Sequence, residues 1–361
     1  VSNPLLTRAI AQAKVKTDRI DATVLAQLLR AGYLPEVWIP DEATRQLREL
    51  TQRRAALVGQ RTAVKNRIHA ILHQRLIQAP VEKLFGPSGR AWLEALDLDA
   101  QGRALLDAER RLLADIEREI AALGARLAVS AQPDPRVRLL LTLPGVDLTV
   151  AMTLLAALGD IRRFRTPDQA ASYLGLVPST RQSAEHCYHG PITKRGRSQA
   201  RFMLVQAAQH LARHPGPLGV FFRRLEKKKN RNVAVVATAR KLVTVAWHVL
   251  TSGEPYRYAQ PRTVDTKLAR LRIAATGTRR PSGNAKGTAR PASYGAGHPT
   301  RAVPSLDDVL AREGLPTIQP LAPGEQRMLR DTNTADFANR VRLTHRVPRS
   351  TTAARKELTR S

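Results

Sequence analysis

Cysteine is almost absent from this 361-residue chain: Cys187 is the single copy. One thiol excludes an intrachain disulfide framework and any multi-cysteine zinc site. Aromatic residues make up 4% of the chain, too few for an all-β sandwich or a base-stacking platform. Acidic residues are also scarce, with 30 Asp+Glu against 59 Lys+Arg and a formal charge of +29. Long apolar runs are missing as well. The most apolar stretch, residues 139–159, contains Pro144, Gly145 and Asp147, which reads as a broken helical pair and not a membrane span. Asn3, Pro4 and Arg8 interrupt any apolar segment after Val1, so no signal peptide is expected there.

What is present is a hydrophobic content of 43%, enough to build a core. The cationic surplus must lie on the surface, and its natural partner is a polyanion, because neutralising phosphates releases counterions. Composition therefore predicts a nucleic-acid protein of the cytosol, with no membrane partner.

Four zones separate by pattern, and together they predict a mainly α protein. Residues 1–40 hold a helix over Asp18–Arg30 with Ile20, Val24, Leu25 and Leu28 on one side, then a proline-bounded loop. Residues 41–130 carry Leu47, Leu50, Leu57, Val64, Ile68 and Ile71 at a 3-4 spacing, with Arg54 and Arg61 at two seam positions. The spacing returns at Leu113, Ile116, Ile120, Leu123 and Leu127, which predicts a helical hairpin or coiled coil. Residues 131–255 form a compact helical unit, with helices expected at 148–158, 167–174, 198–213, 218–229 and 232–250. Residues 256–361 are rich in Pro, Gly, Arg, Ala and Thr. That composition predicts a basic, mostly disordered tail, with short helices near 306–313 and 325–329.

Four clusters bear chemistry. In KTDRIDA, Asp18 and Asp21 lie three apart, so one helix face carries both carboxylates. Hard oxygen donors of this kind suit Mg²⁺; a solvated charged face capped by Thr17 is the other reading. In LPGVDLTVA, residues 143–151, Pro-Gly followed by a helix is similar to a helix-hairpin-helix turn, which binds DNA backbone through amides. Asp147 stands where a second glycine is usual, and its charge opposes phosphate. The segment 175–201 holds Ser183 as a candidate nucleophile among the cations Lys194, Arg195 and Arg197, which could stabilise a phosphorane. His186, Cys187 and His189 offer a metal reading, but crowd three ligands into four residues. Finally Arg223, Arg224, Lys227, Lys228, Lys229 and Arg231 precede a strongly apolar helix and read as phosphate contacts.

The order KTDRIDA, RTAVKNRIHAILH, LPGVDLTVAMTLLAALGDIRRF, ASYLGLVPSTRQS with GPITKRG, and NVAVVATARKLVTVAWHVL with GEPY resembles the insertion-sequence transposases. These combine a RuvC-like DEDD domain with a C-terminal serine Tnp domain and are bridge-RNA-guided recombinases. The likeness covers residues 1–258. It implies a RuvC-like remnant at 1–40, a hairpin or coiled coil at 41–130 and a serine Tnp domain at 131–255. In this family three aspartates and a glutamate hold Mg²⁺, and the last two match Asp18 and Asp21. The Tnp serine lies five positions after a proline, which assigns the nucleophile to Ser183 after Pro178. DNA, a structured guide RNA and a homo-oligomer in the bacterial cytosol or nucleoid are implied as partners and setting.

Two departures follow. The strands carrying the first aspartate and the glutamate would precede Val1, so a truncated copy without a complete RuvC-like sheet is expected, inactive on its own. The family Ser-Gly is Ser183-Ala184 here, and alanine resists the positive φ that glycine accepts. The alternative is a non-catalytic basic protein that binds DNA or RNA.

The charge alone sets a measurable expectation. Affinity for duplex DNA should fall on the order of 10³-fold or more between 50 and 200 mM salt. A fluorescence-anisotropy titration showing constant affinity over that range would refute it.

Overall fold

The structure is a computed structural model that describes residues 2, 7, 17–34, 36–183, 186–278 and 300–348. The chain divides into two compact units, Val1–Gln46 and Leu47–Ser361.

In the first unit, helix α1 spans Asp18–Arg30. Thr17 begins it by accepting the Ile20 N–H at 3.3 Å, one of the four donors a helix start leaves orphaned. Asp18 and Asp21 lie in the first turn and Arg30 in the last, each matched in sign to the helix dipole. The helix ends at Gly32, whose φ is +70°. No side chain of α1 is buried, and Leu25, Leu29 and Tyr33 are exposed. Among the described residues of this unit, an antiparallel bridge between Ser2 and Glu36 is the whole β structure, so no RuvC-like sheet is formed by them.

Helix α2, Glu42–Gln74, runs into the second unit and pairs with α4, Ala100–Ala131, across the short helix α3, Pro87–Ala95. Leu57, Val64, Ile68 and Leu72 of α2 meet Leu106, Leu113, Ile116, Ile120 and Leu123 of α4, with Leu84 and Leu93 closing the end. The seam is therefore satisfied within one chain, as a helical hairpin. Arg67 and Glu109 bridge the pair with Nε–Oε1 at 2.6 Å, and Arg90 reaches Glu117 at 2.7 Å. Arg54, at a seam position, is drawn electrostatically toward Asp147 of the next helical layer.

The second core holds α5 (Pro135–Leu141), α6 (Leu148–Leu158), α7 (Pro167–Tyr173), α8 (Ser198–Gln209), α9 (Pro217–Lys228) and α10 (Arg231–Ser252). These bounds follow the helices expected from sequence within two or three residues, except that α8 tightens into a 3₁₀ turn over His210–Arg213. Every residue of α6 from Val150 onward is buried. Helix α10 is long and apolar enough to cross a membrane by length and composition. Its Ala234, Val235, Ala239, Leu242, Val243, Ala246 and Val249 lie instead in this core.

The region from 256 onward departs from expectation. Residues 279–299 and 349–361 lie outside the described residues. The rest is built: α11 (Pro261–Thr276), β3 (Thr300–Val303), α12 (Leu306–Arg312), α13 (Pro323–Asp331), α14 (Ala335–Val341) and β4 (His345–Pro348). Strands β3 and β4 pair antiparallel. Val264, Leu268 and Leu271 from α11, and Leu306, Val309 and Leu310 from α12, join the second core. Their 3-4 spacing makes two apolar helix faces that the average composition of the region conceals. The short helices expected near 306–313 and 325–329 are α12 and α13.

Lys267 of α11 fastens this region to the Leu143-Pro144-Gly145 turn. Its ammonium donates to Leu141 O at 3.0 Å and Leu143 O at 2.6 Å, carbonyls left free where α5 ends. Burial holds its pKa down to about 8, with Asp147 pulling the other way. Thr142 Oγ1 accepts the Tyr256 N–H at 2.9 Å beside it. Next to the turn His214 is buried, and its Nδ1 accepts the Gly216 N–H at 3.1 Å. Burial, then the charges of Lys267 and Arg223, push the His214 pKa down to about 4.

Leu268→Ala should therefore cost about 2–5 kcal/mol of unfolding free energy, measured by urea denaturation. An unchanged midpoint would detach α11 from the core. The His214 contribution carries a definite sign. Because the folded imidazole resists protonation, stability is complete above about pH 6.5 and is lost as pH falls toward 4, by about 3 kcal/mol at most. Denaturant midpoints of the wild type and His214→Gln should converge at acid pH; parallel pH curves would refute the assignment.

Candidate nucleic-acid-processing site

The segment between α7 and α8 folds as a β-hairpin, where sequence patterning gives only punctuated loop. Strand β1, Pro178–Ser183, pairs antiparallel with β2, His186–Ile192. Pro178 stands opposite Ile192 at the base, and Ser183 opposite His186 at the far end. Ser179 Oγ donates to Pro191 O at 3.1 Å near the base.

The base is locked by close backbone approach. Gly175, with φ +68°, ends α7 so that an added Cβ would stand 2.2 Å from Arg195 O. Gly196, with φ +75°, would place a Cβ 2.0 Å from Tyr173 O. Only glycine fits either position. Between them Thr193 N donates to Val177 O at 2.9 Å and Lys194 N to Gly175 O at 3.2 Å. Lys194 itself adopts φ +53°, an uncommon conformation for a residue with a side chain. Arg201 of α8 donates to Leu174 O and Arg195 O, at 3.0 and 3.2 Å. The GLVP and TKRG motifs thus form one junction.

This junction carries Lys194 and Arg195, both exposed, and Arg197, half-buried at the start of α8. Arg197 lines a cavity of about 210 Å³ with Arg48, Gln52, Thr153 and Gln199. Arg48 is buried there, donating to Ala156 O at 2.7 Å and Ala157 O at 3.2 Å. Burial first and the charge of Arg197 next lower its proton affinity.

The cations do not surround Ser183. It lies five positions along β1 from Pro178, roughly 17 Å at about 3.3 Å per residue, and Lys194, Arg195 and Arg197 follow the opposite end of β2. Arg181, exposed and paired with Tyr188, is the cation two positions before Ser183; residues i and i+2 share one strand face. Ala184 lies outside the described residues. His186 and Cys187 occupy successive positions of β2, and His189 pairs with Thr180. Among the described residues no three His, Cys, Asp or Glu side chains gather as a metal group.

The second basic cluster splits in two. Arg223 donates through Nη1 to Ala212 O and His214 O, both at 2.9 Å, so it also closes the turn before α9. Arg231 pairs with Glu226 at 2.8 Å and lies 5.7 Å from the Phe222 ring. Arg224, Lys227, Lys228 and Lys229 remain exposed. Asn230 caps α10 through the Val233 N–H at 2.9 Å.

Asp18 and Asp21 stand exposed one helical turn apart in the first unit. Two carboxylates fit the ligand chemistry of Mg²⁺, which commonly keeps several waters beside one or two carboxylates. Asp147 is accounted for differently: its Oδ1 accepts the Val150 N–H at 2.8 Å and caps α6. Gly145, φ +77°, sets the preceding turn against α8, where a Cβ would stand 2.4 Å from Ala207 O. Sequence patterning did not single out Arg48, Lys267 or His214; a lone cation or histidine beside an apolar run carries no signal until the tertiary partner is known.

The sequence pattern of the Transposase IS116/IS110/IS902 family matches residues 137–221, and a DEDD transposase pattern of the IS110 type matches residues 1–76. The y4qE protein of Sinorhizobium fredii is 32% identical over 240 residues, 66% of this chain and 56% of its own length. The chain thus spans just over half of that relative. The transposase for insertion sequence element IS1111A of Coxiella burnetii is 27% identical, over 67% of this chain and 68% of its own. The pilin gene-inverting protein of Moraxella bovis is 26% identical, over 71% of this chain and 73% of its own. With the two patterns in this order, and with these relatives, the chain is similar to the IS110/IS1111 insertion-sequence transposases over its N-terminal segment and its helical core.

Proposed function

We propose that the chain acts in DNA strand exchange, with Ser183 as the nucleophile. The observation that carries this reading is the hairpin. It holds position 183 at the far end of a strand pair whose base is pinned by two glycines and Arg201. A rigid base with an extended tip suits a nucleophile that must reach a phosphodiester in a duplex.

In the step itself the Ser183 hydroxyl oxygen attacks phosphorus and the sugar oxygen leaves with the proton. A phosphoserine ester replaces the phosphodiester, so the bond energy is kept for reversal onto a second strand. Arg181, two positions before Ser183 in β1, is the cation proposed to stabilise charge on the non-bridging oxygens. Lys194, Arg195 and Arg197, which follow the base of the hairpin, serve a different purpose. They hold the duplex that flanks the reacting phosphate. Arg224 and Lys227–Lys229 extend the same grip.

Asp18 and Asp21 would hold Mg²⁺ in this reading, and the ion would supply Lewis-acid stabilisation of the transferring phosphate. A homo-oligomer, in which the Asp18/Asp21 segment of one subunit serves the Tnp segment of another, and a structured RNA that pairs with target and donor DNA complete the assembly. The bacterial cytosol or nucleoid is its setting.

The experiment incubates the protein with element RNA, supercoiled DNA and Mg²⁺. An alkali-sensitive protein–DNA adduct should form, vanish in Ser183→Ala, and drop about 10²-fold in rate in Arg181→Ala. An adduct that survives Ser183→Ala but is lost in Cys187→Ser would overturn the nucleophile. DNA binding with no adduct under any condition would make the chain a non-catalytic binder.

A further inference from the structure

Beside the Pro144-Gly145 turn lies a cavity of about 270 Å³ whose polar lining has one character. Lys267, Arg213, His210, His214 and Gln260 line it, and no carboxylate does. Each offers a donor. Lys267 spends two of its three N–H bonds on Leu141 O and Leu143 O, which leaves one. His214 is only 8% exposed, and its Nε2 has no partner. Because its Nδ1 accepts from Gly216 N, the neutral ring carries its proton on Nε2. That proton is a buried donor awaiting an acceptor, a rare condition in folded proteins. Gln260 Oε1 accepts from Thr263 Oγ1 at 3.2 Å, so the amide NH₂ is what it can still offer. Arg213 and His210 are exposed at the cavity's rim. Phe337 closes against the His214 ring, with centroids 5.6 Å apart. Asp147 is the carboxylate that acts on Lys267, but it is turned to the Val150 N–H and does not line the cavity.

We propose that this cavity binds one phosphate group of a DNA backbone, with Lys267 and His214 at its floor and Arg213 and His210 at its rim. A lining of lysine, arginine, histidine and amide donors with no carboxylate, whose Thr142 and Thr263 hydroxyls already bond the Tyr256 N–H and Gln260 Oε1, selects an anion rich in acceptor oxygens, and a phosphodiester is that anion. The site lies on the opposite logic from a helix-hairpin-helix contact. The α6 N-terminus, where such a turn would present its amides, is closed by Asp147. The cationic contact comes instead from α11, outside the segment of residues 137–221 that matches the family pattern. The choice of DNA rests on the function proposed above; free phosphate and RNA are separate arms of the test.

The test reads lysine acetylation by mass spectrometry with and without a short DNA duplex. With duplex at ten times its Kd, labelling of Lys267 should slow about tenfold. The rim pair Arg213→Ala/His210→Ala should leave the melting temperature unchanged and lower the salt slope of duplex binding by about 1. The proposal is overturned if anisotropy shows bound duplex while Lys267 labels at its free rate and the rim variant keeps the wild-type slope. In that case DNA binding itself stands. Protection by inorganic phosphate but not by duplex would make this a small-anion site, and protection by an RNA hairpin alone would replace DNA with RNA. If no duplex binds at all, the choice of DNA falls together with the reading it rests on.

Discussion

The helical core is organised around a backbone turn too tight to admit a side chain. At Gly145 the chain reverses with φ +77°, and its Cα rests against Ala207 O of α8. That contact fixes α5 and α6 against α8, while Lys267 ties the carbonyls of Leu141 and Leu143 to α11. Taking an ammonium out of water costs several kcal/mol. Two carbonyls at a helix C-terminus, where the dipole is negative, offset part of that cost. The depressed pKa of Lys267 is the residue of the imbalance. A group held at this expense joins α11 to the same core as the Leu143-Pro144-Gly145 turn.

The +29 charge has to be divided before it can be used. Arg48, Arg201 and Arg223 each direct guanidinium donors to two backbone carbonyls. Arg163 lies within about 4 Å of the Phe164 and Tyr173 rings. Arg67, Arg90, Arg231, Arg257 and Arg272 meet carboxylates. Arginine suits these tasks because its planar fork bonds in fixed directions and stays charged when half-buried. Four lysines, Lys194, Lys227, Lys228 and Lys229, stay exposed, whereas Lys267 is spent on backbone carbonyls. A phosphate footprint counted from sequence therefore overstates itself wherever arginine is included without its partners.

What sequence makes legible here is what local rules decide. The helices at 148–158, 198–209 and 231–252 follow apolar periodicity, and Asn230 and Thr17 are caps of ordinary kind. The hairpin at 178–192 was not legible, because PSTRQS and HCYHGPI alternate no apolar face; their pairing is imposed by the glycine-locked base. The order after 256 was hidden for another reason. Its apolar residues are few and spaced for helices that are stable only against the core. At the site, residue types were legible but distances were not. Ser183 and the KRG cations are neighbours in sequence and lie at opposite ends of a strand pair.

That separation changes the chemistry the site can support. A nucleophile crowded by cations would have its charge stabilisation built in, and any phosphate reaching it would meet the same field. In the proposed reading, the base of the hairpin would hold the duplex away from the tip, which would uncouple binding from reaction along the DNA. Holding energy gathered at the base is equal in ground and transition states and adds affinity without rate. Rate has to come from groups near position 183. Arg181 is the cation that the strand register supplies there. Any further stabilisation must be brought to the tip, by a metal or by a second subunit, and chemistry that waits for it is confined to the assembled complex.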